Sequence, residues 1–168
     1  MSASIQPSAT IRPATTADAE ALGRLGALLV RVHHEFDARR FFPATPETEQ
    51  GYAEWLRSQV TAPNSVVLVA EWEGEIAGYI YGAAEGYDWM TLRGPAGILH
   101  DLIVEPAFRG HGIGELLLDA AIAALADRGV PRVVLSTAAR NEKAPRLFAR
   151  AGFRPTMMEM TREVEVRD

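Results

Sequence analysis

Three glycines at alternate positions, Gly110, Gly112 and Gly114, are the feature that most limits how this chain folds. They follow an apolar stretch that ends at Val104, and they precede an apolar helical pattern. Glycine adopts backbone angles that other residues avoid, and without a Cβ it lets backbone N–H groups approach an anion closely. The first N–H groups of a helix lack partners, and the helix dipole adds about half a positive charge there. This strand–loop–helix junction therefore predicts a binding site for a pyrophosphate group.

Other glycine-rich phosphate loops fit this stretch less well. A dinucleotide-binding fold carries G-x-G-x-x-G at its first strand–helix turn, whereas the spacing here is G-x-G-x-G and lies late in the chain. A nucleoside-triphosphate loop needs Lys followed by Ser or Thr after its last glycine, but Glu115 and Leu116 stand there. Glycines that serve only a tight turn remain the structural alternative.

The spacing of apolar residues predicts the element order β α α β β β α β α β. Helices are expected from Thr16 to Phe36, from Pro46 to Val60, from the glycine cluster to about Arg128, and from Asn141 to Ala151. Strands are expected over 11–14, 66–72, 76–84, 97–104, 133–137 and 157–166, with a short extra strand at Phe153. We therefore expect an α/β fold, with a mixed, mostly antiparallel central sheet of six to seven strands flanked by about four helices.

Composition excludes several classes of protein. The 168 residues fit one domain, 1–168, with 1–8 as a flexible N-terminus. The absence of cysteine excludes disulfides and a thiol nucleophile, and the net charge of −5 argues against a nucleic-acid partner held by a broad basic surface. No apolar run approaches the ~20 residues of a membrane-spanning helix, and the start lacks the pattern of a secretory signal, so we expect no membrane partner and a cytoplasmic location.

Two motifs resemble those of the GNAT superfamily of N-acetyltransferases. The first, Arg109-x-x-Gly112-x-Gly114, is similar to the family's R/Q-x-x-G-x-G/A cofactor signature. The second reads Asn141-Glu142-x-Ala144-x-x-Leu147-Phe148-x-x-Ala151-Gly152-Phe153. Their order and the early Ile11-Arg12-Pro13-Ala14 opening also agree with the family, so the resemblance spans nearly the whole chain.

The resemblance implies acetyl-CoA as the acetyl donor, coenzyme A as a product, and no metal. Backbone groups of Leu102, Ile103 and Val104 would pair with the pantetheine arm as an added strand does. Asn141 would contact the pantetheine through its side-chain amide, although it is also a good helix cap. The pyrophosphate site implied by the resemblance comprises Arg109, Gly110, His111, Gly112, Ile113, Gly114 and Glu115.

The resemblance also locates the candidate catalytic groups. Relatives often carry a carboxylate on the fourth strand, at the positions of Ile98 or His100, and of these two only His100 titrates. Imidazole changes charge near neutral pH, which suits a general base. The alternatives are a buried structural histidine at this position, with Glu71 or Glu85 as the base. Strand alternation places Asp101 on the opposite face, as a structural residue.

Many relatives carry a tyrosine acid where this chain has Phe148, so Phe148 is expected to pack against the cofactor. The proton for the leaving thiolate then comes from water, from coenzyme A itself, or from another tyrosine such as Tyr81 or Tyr87.

The acceptor implied by the resemblance is a primary amine of a small molecule or a peptide. Polyamines, amino acids, aminoglycosides and peptide N-termini all remain candidates. Two non-catalytic alternatives also stay open: an acetyl-CoA-binding sensor and a partner subunit of an acetyltransferase complex. Dimers are common in the family, so the resemblance allows a homodimer.

Overall fold

The computed structural model describes residues 8–166, in which five strands form one sheet in the order β1-β2-β3-β4-β5. Neighbouring strands are antiparallel from β1 to β4, whereas β4 and β5 are parallel. The strands are β1 Thr10–Pro13, β2 Ser65–Trp72, β3 Glu75–Glu85, β4 Ala96–Val104 and β5 Val133–Leu135. The helices are α1 Ala19–Phe36, α2 Thr48–Val60, α3 Ile113–Ala126 and α4 Ala144–Arg150, with short 3-10 turns at Thr16–Asp18 and Pro106–Phe108.

Helices cover both faces of the sheet, because each carries one apolar side. On one face α3 buries Leu117, Leu118 and Leu125 against apolar residues of β2, β3 and β4. On the other face α1 buries Leu22 and Leu25 against a cluster that α2 also joins. A mixed α/β architecture with four helices is thus confirmed.

The expected six to seven strands were too many, because the described residues form five. Residues 157–166 alternate apolar and polar side chains, as Met158, Glu159 and Met160 show, and this local pattern predicted a strand. The segment pairs with no strand of the described chain, and Met158 and Met160 are exposed. Its Glu159 forms an ion pair with Arg40 instead. Alternation marks a strand only where a sheet edge is available to pair with, and the short β5 does not provide one for this segment.

The N-terminal residues and the length of the helices bear on two further expectations. The flexible N-terminus expected at 1–8 lies outside the described residues except for Ser8. Among residues 8–166, every helix is too short or too polar to cross a lipid bilayer.

Candidate active site

The glycine loop lies where β4 ends and α3 begins. Gly112 has a φ of 75° and occupies the position just before the first residue of α3, Ile113. Gly110 has a φ of 84°, so the chain turns through two left-handed positions that favour glycine. The sequence prediction of a strand–loop–helix junction with glycine-dependent turns is confirmed.

Backbone N–H groups of this loop are free to bind a ligand. From Gly110 to Glu115, none of them donates to an acceptor among the described residues, and the first internal bond runs from the Leu116 N–H to the Gly112 carbonyl at 3.1 Å. These donors converge on the positive end of the α3 dipole. An anion of two linked phosphates fits such a set of donors, although the Glu115 carboxylate in the same turn opposes it.

The side chains of Arg109 and His111 contact backbone carbonyls next to the loop. The Arg109 Nε donates to the Val104 carbonyl at 2.9 Å, and the His111 Nδ1 lies 3.1 Å from the Phe108 carbonyl. The His111 ring also packs on Trp72, with ring centroids 4.7 Å apart. Both side chains thus fold back on the protein, so the backbone amides are the groups left to face a ligand.

An open edge of β4 leads to this loop. The parallel pairing of β4 with β5 is confined to Gly97, Ile98 and Leu99, which face residues 133–135. Beyond Leu99 the β5 side of β4, as far as Val104, has no strand partner in the described part of the chain. The backbone of Leu102, Ile103 and Val104 runs along this edge. The Val104 carbonyl there accepts from the Arg109 side chain, and the other groups that face away from β3 can pair with an extended ligand.

Residues of the second motif lie beside α4. The Asn141 Oδ1 accepts from the N–H groups of Lys143 at 3.3 Å and Ala144 at 3.1 Å, so its helix-capping role is present. Phe148 belongs to the α3-side core and meets Phe153 edge to face at 6.0 Å between centroids. Leu147, beside it, approaches Gly114. The second motif thus packs against the start of α3.

A β-bulge places His100 differently from the expected alternation. Tyr81 of β3 pairs with Asp101, but its neighbour Gly82 pairs with Leu99, so His100 is the additional residue in β4. A Cβ on Gly82 would lie 2.6 Å from the Ile98 carbonyl oxygen, so only glycine allows the strands this approach. In a bulge two successive residues oppose one partner residue, which interrupts the alternation of faces.

As a result, His100 and Asp101 both contact tyrosines on the face covered by α1 and α2. The His100 ring stacks on Tyr81 at 5.1 Å between centroids and 22° between planes. The Asp101 Oδ2 accepts from the Tyr79 hydroxyl at 2.8 Å. The prediction that these two side chains point to opposite faces is wrong, because strict alternation does not hold through the bulge.

Asp101 is a buried carboxylate held by two tyrosines, which sequence reasoning missed. It is 9 % exposed, and the Tyr52 hydroxyl of α2 also donates to its Oδ2, at 3.3 Å. Burial raises the pKa of Asp101, while the two tyrosine hydroxyls act in the opposite sense. Burial and the adjacent carboxylate likewise raise the pKa of Tyr79. The only sequence signal was a carboxylate in an apolar strand, which demands buried hydrogen-bond partners.

His100 has a second partner besides Tyr81. Its Nε2 lies 3.0 Å from the Glu85 Oε1, and the other Glu85 oxygen accepts from Arg93 at 2.9 Å. Glu71, another candidate for the base, lies toward the opposite end of β3 from Glu85 and pairs with Arg12 on β1. Over residues 8–166, no group of three or more His, Asp or Glu side chains is arranged to hold a metal ion.

Comparison with known proteins agrees with this architecture. A sequence model described as the acetyltransferase (GNAT) family matches residues 29–153. The uncharacterized N-acetyltransferase YhfO of Bacillus subtilis is 30% identical over 145 residues, which cover 85% of this chain and 88% of the relative.

Solved structures share the fold at lower identity. A protein of Bacillus halodurans superposes with a TM-score of 0.79 and 23% identity over 93% of this chain and 99% of its own. An aminoglycoside N-acetyltransferase solved with coenzyme A superposes with a TM-score of 0.74 and 14% identity, over 98% of this chain and 100% of its own. The chain is an acetyltransferase that belongs to the GNAT family.

Proposed function

We propose that the chain transfers an acetyl group from acetyl-CoA to a primary amine of a small molecule or a peptide. The observation that carries the proposal is the continuity between the free N–H groups of Gly110 to Glu115 and the open β4 edge at Leu102 to Val104. A phosphate-bearing ligand with an extended amide arm matches that surface. The aminoglycoside acetyltransferase of the same fold, solved with coenzyme A, supports the same ligand class.

Side chains are needed to remove a proton from the acceptor amine. Acetyl-CoA supplies the acetyl group as a thioester, which reacts with a neutral amine. A primary ammonium has a pKa near 10, so at neutral pH a base has to remove a proton before the amine can react. His100 lies on β4 where the open edge begins, and it is the base that we propose. A backbone N–H at Leu102 or Ile103 would stabilise the negative charge that develops on the carbonyl oxygen.

No side-chain acid is needed for the departing thiolate. Phe148 has no hydroxyl and packs against Phe153, so it shapes the wall of the cofactor site. The Tyr81 hydroxyl donates to Gln59 at 3.1 Å, and Tyr87 is 72% exposed, so neither side chain points to a role as the acid. A thiolate is a tolerable leaving group at neutral pH, and water can return its proton.

The experiment compares wild-type protein with His100→Gln across pH. Glutamine preserves much of the volume and hydrogen bonding but cannot act as a base. We expect His100→Gln to bind acetyl-CoA normally in calorimetry, to lose about ten- to a thousandfold in turnover, and to lose the acidic limb of the pH–rate profile. Wild-type turnover with the same acidic limb in His100→Gln would show that the base lies elsewhere.

A further inference from the structure

The two carboxylate oxygens of Glu85 contact two different side chains. The Oε1 meets the His100 Nε2 at 3.0 Å, and the Oε2 accepts from the Arg93 Nη2 at 2.9 Å. Glu85 ends β3, where its register partner on β4 is Ala96. The Glu85 side chain therefore contacts a residue four positions further along β4 than its register partner, so strand pairing alone does not determine this contact.

This contact selects one tautomer of His100. An ionised carboxylate only accepts hydrogen bonds, so the Nε2 that faces it carries the proton. In the neutral ring Nδ1 is then the nitrogen without a proton, and it is the atom that can accept one. Within residues 8–166 the His100 Nδ1 makes no hydrogen bond, and stacking on Tyr81 holds the plane of the ring.

Arg93 in turn holds Glu85 in place. Its Nη1 donates to the Gly94 carbonyl at 3.0 Å, so the guanidinium spans the loop between β3 and β4. The Asp88 N–H and carbonyl pair with Arg93 at 2.8 and 2.9 Å, which closes the same loop. Glu85, which precedes this loop, is thus held by Arg93, which lies near the end of the same loop.

We infer that Glu85 is a positioning residue: it fixes His100 with the proton on Nε2 and the basic Nδ1 free, and it stabilises the imidazolium formed when Nδ1 takes a proton from the acceptor ammonium. The catalytic half of this inference rests on the proposed function, since it takes His100 as the base. The titratable groups in contact with the ring are the Glu85 carboxylate and the phenol of Tyr81. Negative charge on Glu85 and on the neighbouring Asp101 favours the imidazolium, and the positive charge of Arg93, which binds Glu85, opposes it.

Charge and loop geometry can be separated by two matched variants. Glu85→Gln keeps an amide oxygen for the Nε2–H but removes the negative charge, so the imidazolium is less stable and the acidic limb should shift to lower pH. Arg93→Gln loosens the same loop but removes a positive charge, so the limb should shift to higher pH. We expect turnover in Glu85→Gln to fall about three- to thirtyfold, less than for loss of the base itself, with the KM for acetyl-CoA unchanged. If the acidic limb of the pH–rate profile stayed at its wild-type pH in both variants, and only their thermal stability fell, the inference would be overturned.

A spectroscopic readout does not require activity. In ¹⁵N-labelled protein at a pH where the ring is neutral, the His100 resonances should report a proton on Nε2, and Glu85→Gln should increase the fraction with the proton on Nδ1. A ring protonated on Nδ1 in the wild-type protein would overturn the inference. Adding Glu85→Gln to His100→Gln should cause no further loss of turnover, because the two act as one unit. Full turnover in His100→Gln would instead refute the base assigned under the proposed function, and the spectrum would still report the pairing.

Discussion

Replacing Gly112 by alanine tests the backbone conformation on which the proposed phosphate site depends. Gly112 has a φ of 75°, and a Cβ built there meets nothing within 4 Å, so the penalty in the free protein comes from backbone conformation rather than from a clash. A left-handed residue other than glycine costs about 1–2 kcal/mol. At about 2–4 °C per kcal/mol for a chain of this size, the melting temperature should fall by about 2–8 °C.

Affinity for acetyl-CoA should fall as well. If the loop relaxes toward ordinary angles, at least one amide no longer points at the phosphates, and a hydrogen bond to a charged group is worth about 1.5–3 kcal/mol. Calorimetric titration should therefore show a Kd raised by about ten- to a hundredfold.

Gly114→Ala is the matched control for stability. Gly114 lies inside α3, where an added Cβ would sit 3.6 Å from the Leu147 Cδ2 and 3.9 Å from the Val104 Cγ2, which are ordinary contacts. Alanine is the better helix former, so stability should hold or rise by up to about 1 kcal/mol. Equal melting temperatures for Gly112→Ala and the wild type would refute the conformational argument, and unchanged acetyl-CoA affinity in a folded Gly112→Ala would refute the site.

Three further predictions concern the shape and stability of the fold. Phe148→Leu loses an edge-to-face contact and should lower stability by about 1 kcal/mol in urea denaturation, with turnover of the acetyl-CoA complex nearly unchanged; a selective loss of turnover would show that Phe148 acts in the chemistry. Arg12 lowers the pKa of Asp18 from 3.8 to about 2, so the stabilisation is present above about pH 4 and is lost as pH falls toward about 2. Asp18→Asn should therefore be less stable than wild type by on the order of 1–2 kcal/mol near pH 7, and the difference should shrink over that acidic range; a constant difference would contradict the ion-pair account. Gly82→Ala places a Cβ 2.6 Å from the Ile98 carbonyl oxygen, and it should cost about 1–3 kcal/mol in urea denaturation; a stability equal to wild type would show that the bulge does not need glycine.

Local signals account for the parts of the fold that the sequence predicted. The helix α1 has apolar residues at three- and four-residue spacing, and the observed Ala19–Phe36 buries Leu22, Leu25 and Leu29. The β2–β3 hairpin turns at Glu73 and Gly74, both with positive φ, as the turn residues indicated. In these segments propensity, pattern and turn chemistry agree, so a few neighbouring residues determine the structure.

Long-range contacts account for the parts that were missed. The bulge at His100 depends on how β4 pairs with Gly82, eighteen residues earlier in the chain. The Glu85–His100 and Tyr79–Asp101 contacts join residues 15 and 22 positions apart, through side chains whose orientation the bulge sets. The extra C-terminal strand was an error of the same kind, because an alternating pattern does not reveal whether a sheet edge is available.

Acetyl transfer to a free amine is the reaction that we propose for this chain, and thiol release from acetyl-CoA measures it directly. Wild-type protein should be mixed with acetyl-CoA and with polyamines, amino acids, aminoglycosides and peptides carrying free N-termini, and each product should be examined by mass spectrometry. We expect at least one primary amine to accelerate thiol release and to gain one acetyl group, and Gly112→Ala to slow this reaction at low acetyl-CoA concentration. Thiol release that no amine accelerates above slow hydrolysis, from protein that binds acetyl-CoA, would contradict it.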